Sequence, residues 1–125
     1  MELTPLRPGD RSLIQAYGNG GFKISEHRFK GSVFVLEKSV IQVPLASLDD
    51  LESAHLSALT DGGTGTDILL VGCGDEAGKL NQVQRDHLSR AGIAVDLMNT
   101  GAACRTFNFL QAEGRRVAAL LIAVE

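Results

Sequence analysis

The stretch from Val95 to Val124 constrains the fold more than any other part of the chain. Val95 to Met98 is a short apolar run that suits a buried strand. Asn99 and Thr100 then bring side-chain oxygens to the point where a helix start leaves backbone amides without partners. Residues 102–112 favour a helix, and Gly114 stands where a left-handed stop is wanted. Val117 to Val124 is continuously apolar, as strands covered on both faces are. Strand, capped helix, stop and strand follow one another with nothing spent on linker.

The preceding segment repeats the pattern. Ile68 to Val71 reads as a short buried strand and Gly72-Cys73-Gly74 as the turn leaving it. Leu80, Val83, Gln84, His87, Leu88 and Ala91 mark the inner side of an amphipathic helix that Gly92 closes. Strands alternating with helices of this length imply parallel pairing through right-handed crossovers, hence a βαβαβ core from Asp67 onward.

Before it, Ser47 followed by Leu-Asp-Asp has the form of a capping box. From there Leu48, Leu51, His55, Leu56 and Leu59 share one helical face, with His55 read as a partly buried structural histidine. Residues 60–65 end that helix in a glycine-rich loop. The first third is β-rich: a strand within 12–17, a turn at Gly18-Asn19-Gly20-Gly21 and an alternating strand through Phe22 and Ile24. A polar turn at 25–28 and strands at 32–36 and 40–43 follow. Residues 1–11 hold two of the three prolines and read as an irregular lead-in. The 125 residues form one domain.

Charge and composition exclude several function classes. A net charge of −3 favours neither nucleic acid nor an anionic membrane surface. No apolar run approaches the roughly 20 residues needed to span a bilayer, and Met1 to Pro5 lacks the pattern of a signal peptide. Two cysteines, Cys73 and Cys104, form no disulfide framework. They are expected as free thiols in a reducing compartment, the cytoplasm. No spacing of Cys and His suggests a metal site, and no cofactor is expected.

Chemistry in a parallel sheet is sought beyond the carboxyl ends of the strands. The loops after the first two parallel strands should meet there, bringing Cys73, Asn99, Thr100, Cys104 and Arg105 to one crevice. Gly72-Cys73-Gly74-Asp75-Glu76-Ala77 formally matches a dinucleotide fingerprint. Asp75 and Glu76, however, put negative charge where pyrophosphate would lie, so a tight strand-to-helix turn is the preferred reading. Cys104 near a helix start, beside Arg105, sits where thiol pKa values fall, yet no histidine is tied to it by spacing; a buried core cysteine is preferred. Arg105 opposes the helix dipole and so calls for a partner: a structural salt bridge to a carboxylate such as Asp96 or Glu113 is preferred to a bound anion. Phe107 and Phe109 lie about 200° apart around a helix, so one of them must face away from the sheet.

Two runs complete the reading. Asn-Thr-Gly-Ala-Ala-Cys-Arg-Thr-Phe-Asn at 99–108 and Glu-Gly-Arg-Arg-Val-Ala-Ala at 113–119 resemble the signature of the domain of unknown function 498 family. Tyr17 to Phe22, Gly31-Ser32 before an apolar strand, and Val71-Gly72-x-Gly74 extend the resemblance from about Ile14 to Ile122. Asn99 stands where the family typically has Asp, Phe107 where it has Tyr, and Cys73 where it has Thr; a common tryptophan is missing. The resemblance implies a three-layer α/β domain with a mixed sheet and an N-terminal β-hairpin extension. It implies no established enzyme activity. Because the family includes a mitochondrial respiratory complex I assembly factor, it implies protein partners, and a stand-alone bacterial-type member is expected here. The leading function is therefore a non-enzymatic binding or assembly-accessory protein. The alternatives are a small-molecule or anion-binding enzyme using the crevice, and a purely structural subunit of a homo-oligomer.

Overall fold

The computed structural model describes residues 3–5, 11–60, 65–75 and 78–125. Strands β1 (Leu3–Pro5), β2 (Ile14–Gly18), β3 (Gly21–Ile24), β4 (His27–Lys30), β5 (Ser32–Val35) and β6 (Ser39–Val43) come first. They are followed by α1 (Ser53–Thr60), β7 (Ile68–Gly72), α2 (Gln82–Arg90), β8 (Ala94–Met98), α3 (Thr100–Ala112) and β9 (Val117–Leu121).

Six strands form one mixed sheet in the order β1-β6-β5-β9-β7-β8. β7 is central to the parallel part, pairing in parallel with both β8 and β9. The chain steps from β7 to β8 through α2, then back over β7 to β9 through α3. Two right-handed crossovers running in opposite directions put their helices on opposite faces of the sheet. β5 joins the outer side of β9 antiparallel, and β6 and β1 extend the sheet from there. A separate antiparallel meander, β2-β3-β4, packs beside α3.

Strand alternation divides the core in two. Phe34, Leu69, Val71, Ala118 and Leu120 face α1 and α2, meeting Leu56, Leu59 and Leu88. Val33, Val35, Leu70, Ala119 and Leu121 face the other way, toward Cys104 and Phe107 of α3 and Phe22, Ile24 and Phe29 of the meander. Every residue of β9 is buried, as its unbroken apolar run requires. The result is three layers: helices, central sheet, then α3 with the hairpin sheet.

The turns obey local chemistry. Asn19 and Gly20 both have positive φ, giving β2 and β3 the primed two-residue turn that matches strand twist. Glu113 caps α3, and Gly114 takes φ 79° just beyond it. The Gly114 amide donates to the Gln111 carbonyl and the Arg115 amide to that of Leu110, a double-bonded helix stop.

Four local expectations are corrected. Ser47 caps only a short 3-10 helix, Leu48–Asp50; the chain extends at Leu51, and α1 begins at Ser53. The Leu51 carbonyl freed by this break is captured by the buried Gln84 side chain at 2.7 Å, a tertiary bond that makes the interruption affordable. His55 is half-buried, and its Nδ1 accepts the Glu52 amide at 2.9 Å. On α2, Gln84 and Leu88 are buried, but Val83 is 67% exposed and Ala91 is exposed as well. Asn81 and Gln84 cap that helix reciprocally, and Gln84 is turned inward by its bond to Leu51. Leu3–Pro5, within the expected irregular lead-in, pairs antiparallel with β6 as an edge strand. The polar turn shrinks to Ser25 and Glu26, both at positive φ, and His27 and Arg28 belong to β4. Side-chain bonds hold this turn: the Leu13 amide donates to Ser25 Oγ, and the Glu26 amide to Gln15 Oε1.

Candidate functional site

The carboxyl ends of β7 and β8 come together, and the chain closes the space between them with its own hydrogen bonds. The Cys73 amide donates to the Met98 carbonyl at 2.8 Å, and the Thr100 amide to that of Gly74 at 2.9 Å. Thr100, fully buried, accepts the Gly74 amide on its hydroxyl at 2.9 Å and donates to the Ile122 carbonyl at 2.7 Å. One hydroxyl thus ties together the ends of β7, β9 and α3. A Cβ at Gly72 would lie 2.9 Å from the Thr100 Cα, so only glycine permits this approach. The amides of the glycine turn are spent inside the protein, and the following helix begins only at Gln82. Neither feature suits a pyrophosphate cradle.

Of the five residues expected at this crevice, Asn99, Thr100, Cys104 and Arg105 lie at the start of α3, with Thr100 bonded to the turn after Cys73, while Cys73 and Cys104 fall on opposite faces of the sheet. Cys73 packs with the α1–α2 face, where Gly78 lies against it. Cys104 is buried on the opposite face, so the sheet separates the two free thiols. Burial pushes the Cys104 thiol up to about 12, outweighing the neighbouring Arg105 charge that pulls it down. Asn99 is exposed and caps α3, its Oδ1 accepting the Ala102 amide at 2.8 Å. Thr100 serves as the internal tie just described. Among the described residues, no group of three His, Cys, Asp or Glu side chains gathers where a metal ion would fit.

Arg105 is exposed and points toward the hairpin sheet. Its Nη1 donates to the Tyr17 hydroxyl at 3.3 Å; among the described residues neither Asp96 nor Glu113 pairs with it. Tyr17 lies across the first turn of α3, and a Cβ at Gly101 would come within 2.5 Å of its hydroxyl oxygen. Two further side chains of α3 fasten the start of β2 and the residues just before it. Asn108 accepts the Ile14 amide at 2.9 Å and donates to the Ile14 carbonyl at 2.8 Å, pairing with the strand edge as another strand would. Gln111 donates to the Ser12 carbonyl at 3.3 Å.

The two phenylalanines of α3 part as helix geometry demands. Phe107 is fully buried against the sheet, whereas Phe109 is 63% exposed. Gly101, Arg105 and Phe109 are four residues apart and share one helical face. With Tyr17, 44% exposed, they form a surface on which two aromatic rings flank a guanidinium. Tyr17 falls within the expected strand at 12–17 and Asn108 within the family run at 99–108, but neither signal gives them a place on this face.

The fold and this site define a class: a three-layer α/β domain whose parallel-strand crevice is closed internally and whose exposed aromatic and basic groups lie on the last helix. Residues 14–122 match the protein family of unknown function DUF498/DUF598, and the chain belongs to it. Among its relatives is the NADH dehydrogenase [ubiquinone] 1 alpha subcomplex assembly factor 3 of Xenopus tropicalis, 34% identical over 88% of this chain and 60% of the relative. The Homo sapiens assembly factor of the same name is 35% identical over 87% of this chain and 59% of its own length. The chain therefore spans about 60% of these vertebrate relatives. An uncharacterized protein of Rhodobacter capsulatus is 32% identical over 96% of this chain and 93% of the relative.

Solved structures share the architecture. A Bartonella henselae protein described as an outer membrane protein superposes with TM-score 0.86 at 37% identity, covering 92% of this chain and 97% of that one. A Bordetella pertussis protein described as an Mth938-like domain does so with TM-score 0.77 at 27% identity, covering 89% and 85%. In the present chain, no helix among the described residues is long and apolar enough to cross a membrane.

Proposed function

We infer that the chain is a non-enzymatic, partner-binding accessory protein that docks through the exposed face of α3 and the adjoining Tyr17. The observation that carries this reading is Phe109, a large apolar ring left 63% exposed beside the Arg105–Tyr17 pair. Exposed aromatics next to arginine are the groups that dominate protein interfaces. The family relatives named as complex I assembly factors support an assembly-accessory role. The enzyme alternative, using Cys73, Asn99, Thr100, Cys104 and Arg105, finds less support. A nucleophile buried with its thiol pushed to about 12 is protonated at neutral pH, and the Thr100 hydroxyl is already donating and accepting. The two free thiols suit a reducing, cytoplasmic setting.

Affinity capture from a lysate of the producing organism, with bound proteins identified by mass spectrometry, tests the reading. The wild type is expected to retain a defined partner that Phe109→Ser loses while staying folded. A partner held equally by both would sink the assignment of this face.

A further inference from the structure

The outer face of the hairpin sheet carries a charge arrangement that folding alone does not call for. Phe22, Ile24 and Phe29 of β3 and β4 point into the core, so the residues between them point outward. Across the strands these form two rows: Ala16, Lys23 and Arg28 in one, Gly18, Gly21 and Lys30 in the other. Lys23 and Arg28 stand directly opposite each other. Like charges so placed, with Cβ atoms about 5 Å apart, destabilise a sheet. Lys30 adds a third cation two residues along the same side of β4. One acid offsets them: Glu26 lies 3.6 Å from Lys23. Among the described residues, neither Arg28 nor Lys30 has an ion-pair partner. A chain of net charge −3 thus concentrates positive charge on one small face. A shallow, open depression of about 360 Å³ is lined by Lys23, Arg28 and Lys30 together with residues of β2 and the following turn.

We propose that this face binds an extended acidic segment of the partner protein, with carboxylates two residues apart engaging Arg28 and Lys30. The inference rests on the partner-binding reading and names what the partner presents. Three observations carry it. Among the described residues Arg28 and Lys30 lack an ion-pair partner while Lys23 has Glu26, so an anionic occupant relieves the Lys23–Arg28 repulsion as well as forming new pairs. Arg28 and Lys30 repeat at the strand period of about 6.6–6.8 Å, at which alternate side chains of an extended peptide also repeat. Ala16, the third member of the row with Lys23 and Arg28, is small and exposed, so that row adds little bulk beside the cations. Tyr17, whose hydroxyl meets Arg105 on α3, lies on β2 between Ala16 and Gly18 of this face, so the acidic segment and the α3 face adjoin along one strand.

The test is fluorescence anisotropy with a labelled peptide of alternating Glu and Thr, against the same peptide with Lys for Glu. The acidic peptide should bind, the basic one should not, and affinity should fall steeply with added salt. Arg28→Gln combined with Lys30→Gln should weaken binding at least tenfold, with thermal stability unchanged or raised because a repulsion is removed. Equal binding by wild type and double variant overturns the proposal. So does tighter binding to phosphatidylglycerol vesicles or to single-stranded RNA than to the peptide. Partner capture that survives the double variant but is lost in Phe109→Ser overturns it too, while leaving the partner-binding reading intact.

Discussion

Replacing Thr100 with valine should be among the costliest conservative substitutions in this protein. The shape of the side chain is kept and only the hydroxyl is lost. That hydroxyl accepts the Gly74 amide and donates to the Ile122 carbonyl in a fully buried position. Valine leaves one buried donor and one buried acceptor unpaired, at about 1–3 kcal/mol each before relaxation. Since the two losses share one site and relax together, roughly 2–4 kcal/mol in total is expected. For a chain of this size about 4 °C of melting temperature accompanies each kcal/mol, so the midpoint should fall by roughly 8–16 °C. Thr100→Ser is the control, losing only a buried methyl at about 1 kcal/mol. Urea and thermal unfolding of the three proteins decide the matter. A valine variant within about 0.5 kcal/mol of wild type would refute the claim that this hydroxyl ties the crevice shut.

Gly114→Val should lower the urea midpoint by an amount equivalent to about 1 kcal/mol or more. A Cβ there meets nothing within 4 Å, so the cost comes from the backbone at φ 79° and not from crowding. An unchanged midpoint would contradict this. Thiol titration at pH 8 should modify Cys73 in the folded protein and Cys104 only on unfolding, because Cys73 is half-buried and Cys104 buried with a thiol raised to about 12. Above pH 9 the unfolded thiol ionises while the buried one stays protonated, so stability falls from about pH 9 toward 12. Cys104→Ala should lack that component; identical pH slopes in the two proteins would count against it.

What the sequence disclosed and what it hid follow from the range of the interactions concerned. β7, β8, α3 and β9 were legible because their signals are local: apolar runs, Asn99 as a cap and Gly114 as a stop. The family motifs supplied the three-layer arrangement and the hairpin extension. The break at Leu51 was hidden, since the periodicity of leucines runs through it and the Gln84 side chain that receives its carbonyl comes from α2. Val83 fitted an inner stripe by spacing, yet the reciprocal cap at Asn81 and Gln84 sets the helix so that it faces solvent. At the candidate site, the oddity of Arg105 was visible but its partner was not. A carboxylate nearby in sequence was the natural expectation for a cation at a helix start; the fold supplies instead a phenol from β2. Cys73 and Cys104 both follow strands that end at the same crevice. Nothing short of the crossover directions tells that they lie on opposite faces.

Arg105→Ala separates a binding surface from a structural tie more directly than any other change. Its guanidinium is exposed and makes one long bond to the Tyr17 hydroxyl, so its removal should cost less than about 1 kcal/mol. The decisive measurement is affinity for the captured partner, by calorimetry, on the same preparation whose urea stability has been determined. Near wild-type stability with binding weakened at least tenfold is the outcome expected of a docking face on α3. Retained binding, or a loss that merely tracks unfolding, would contradict it.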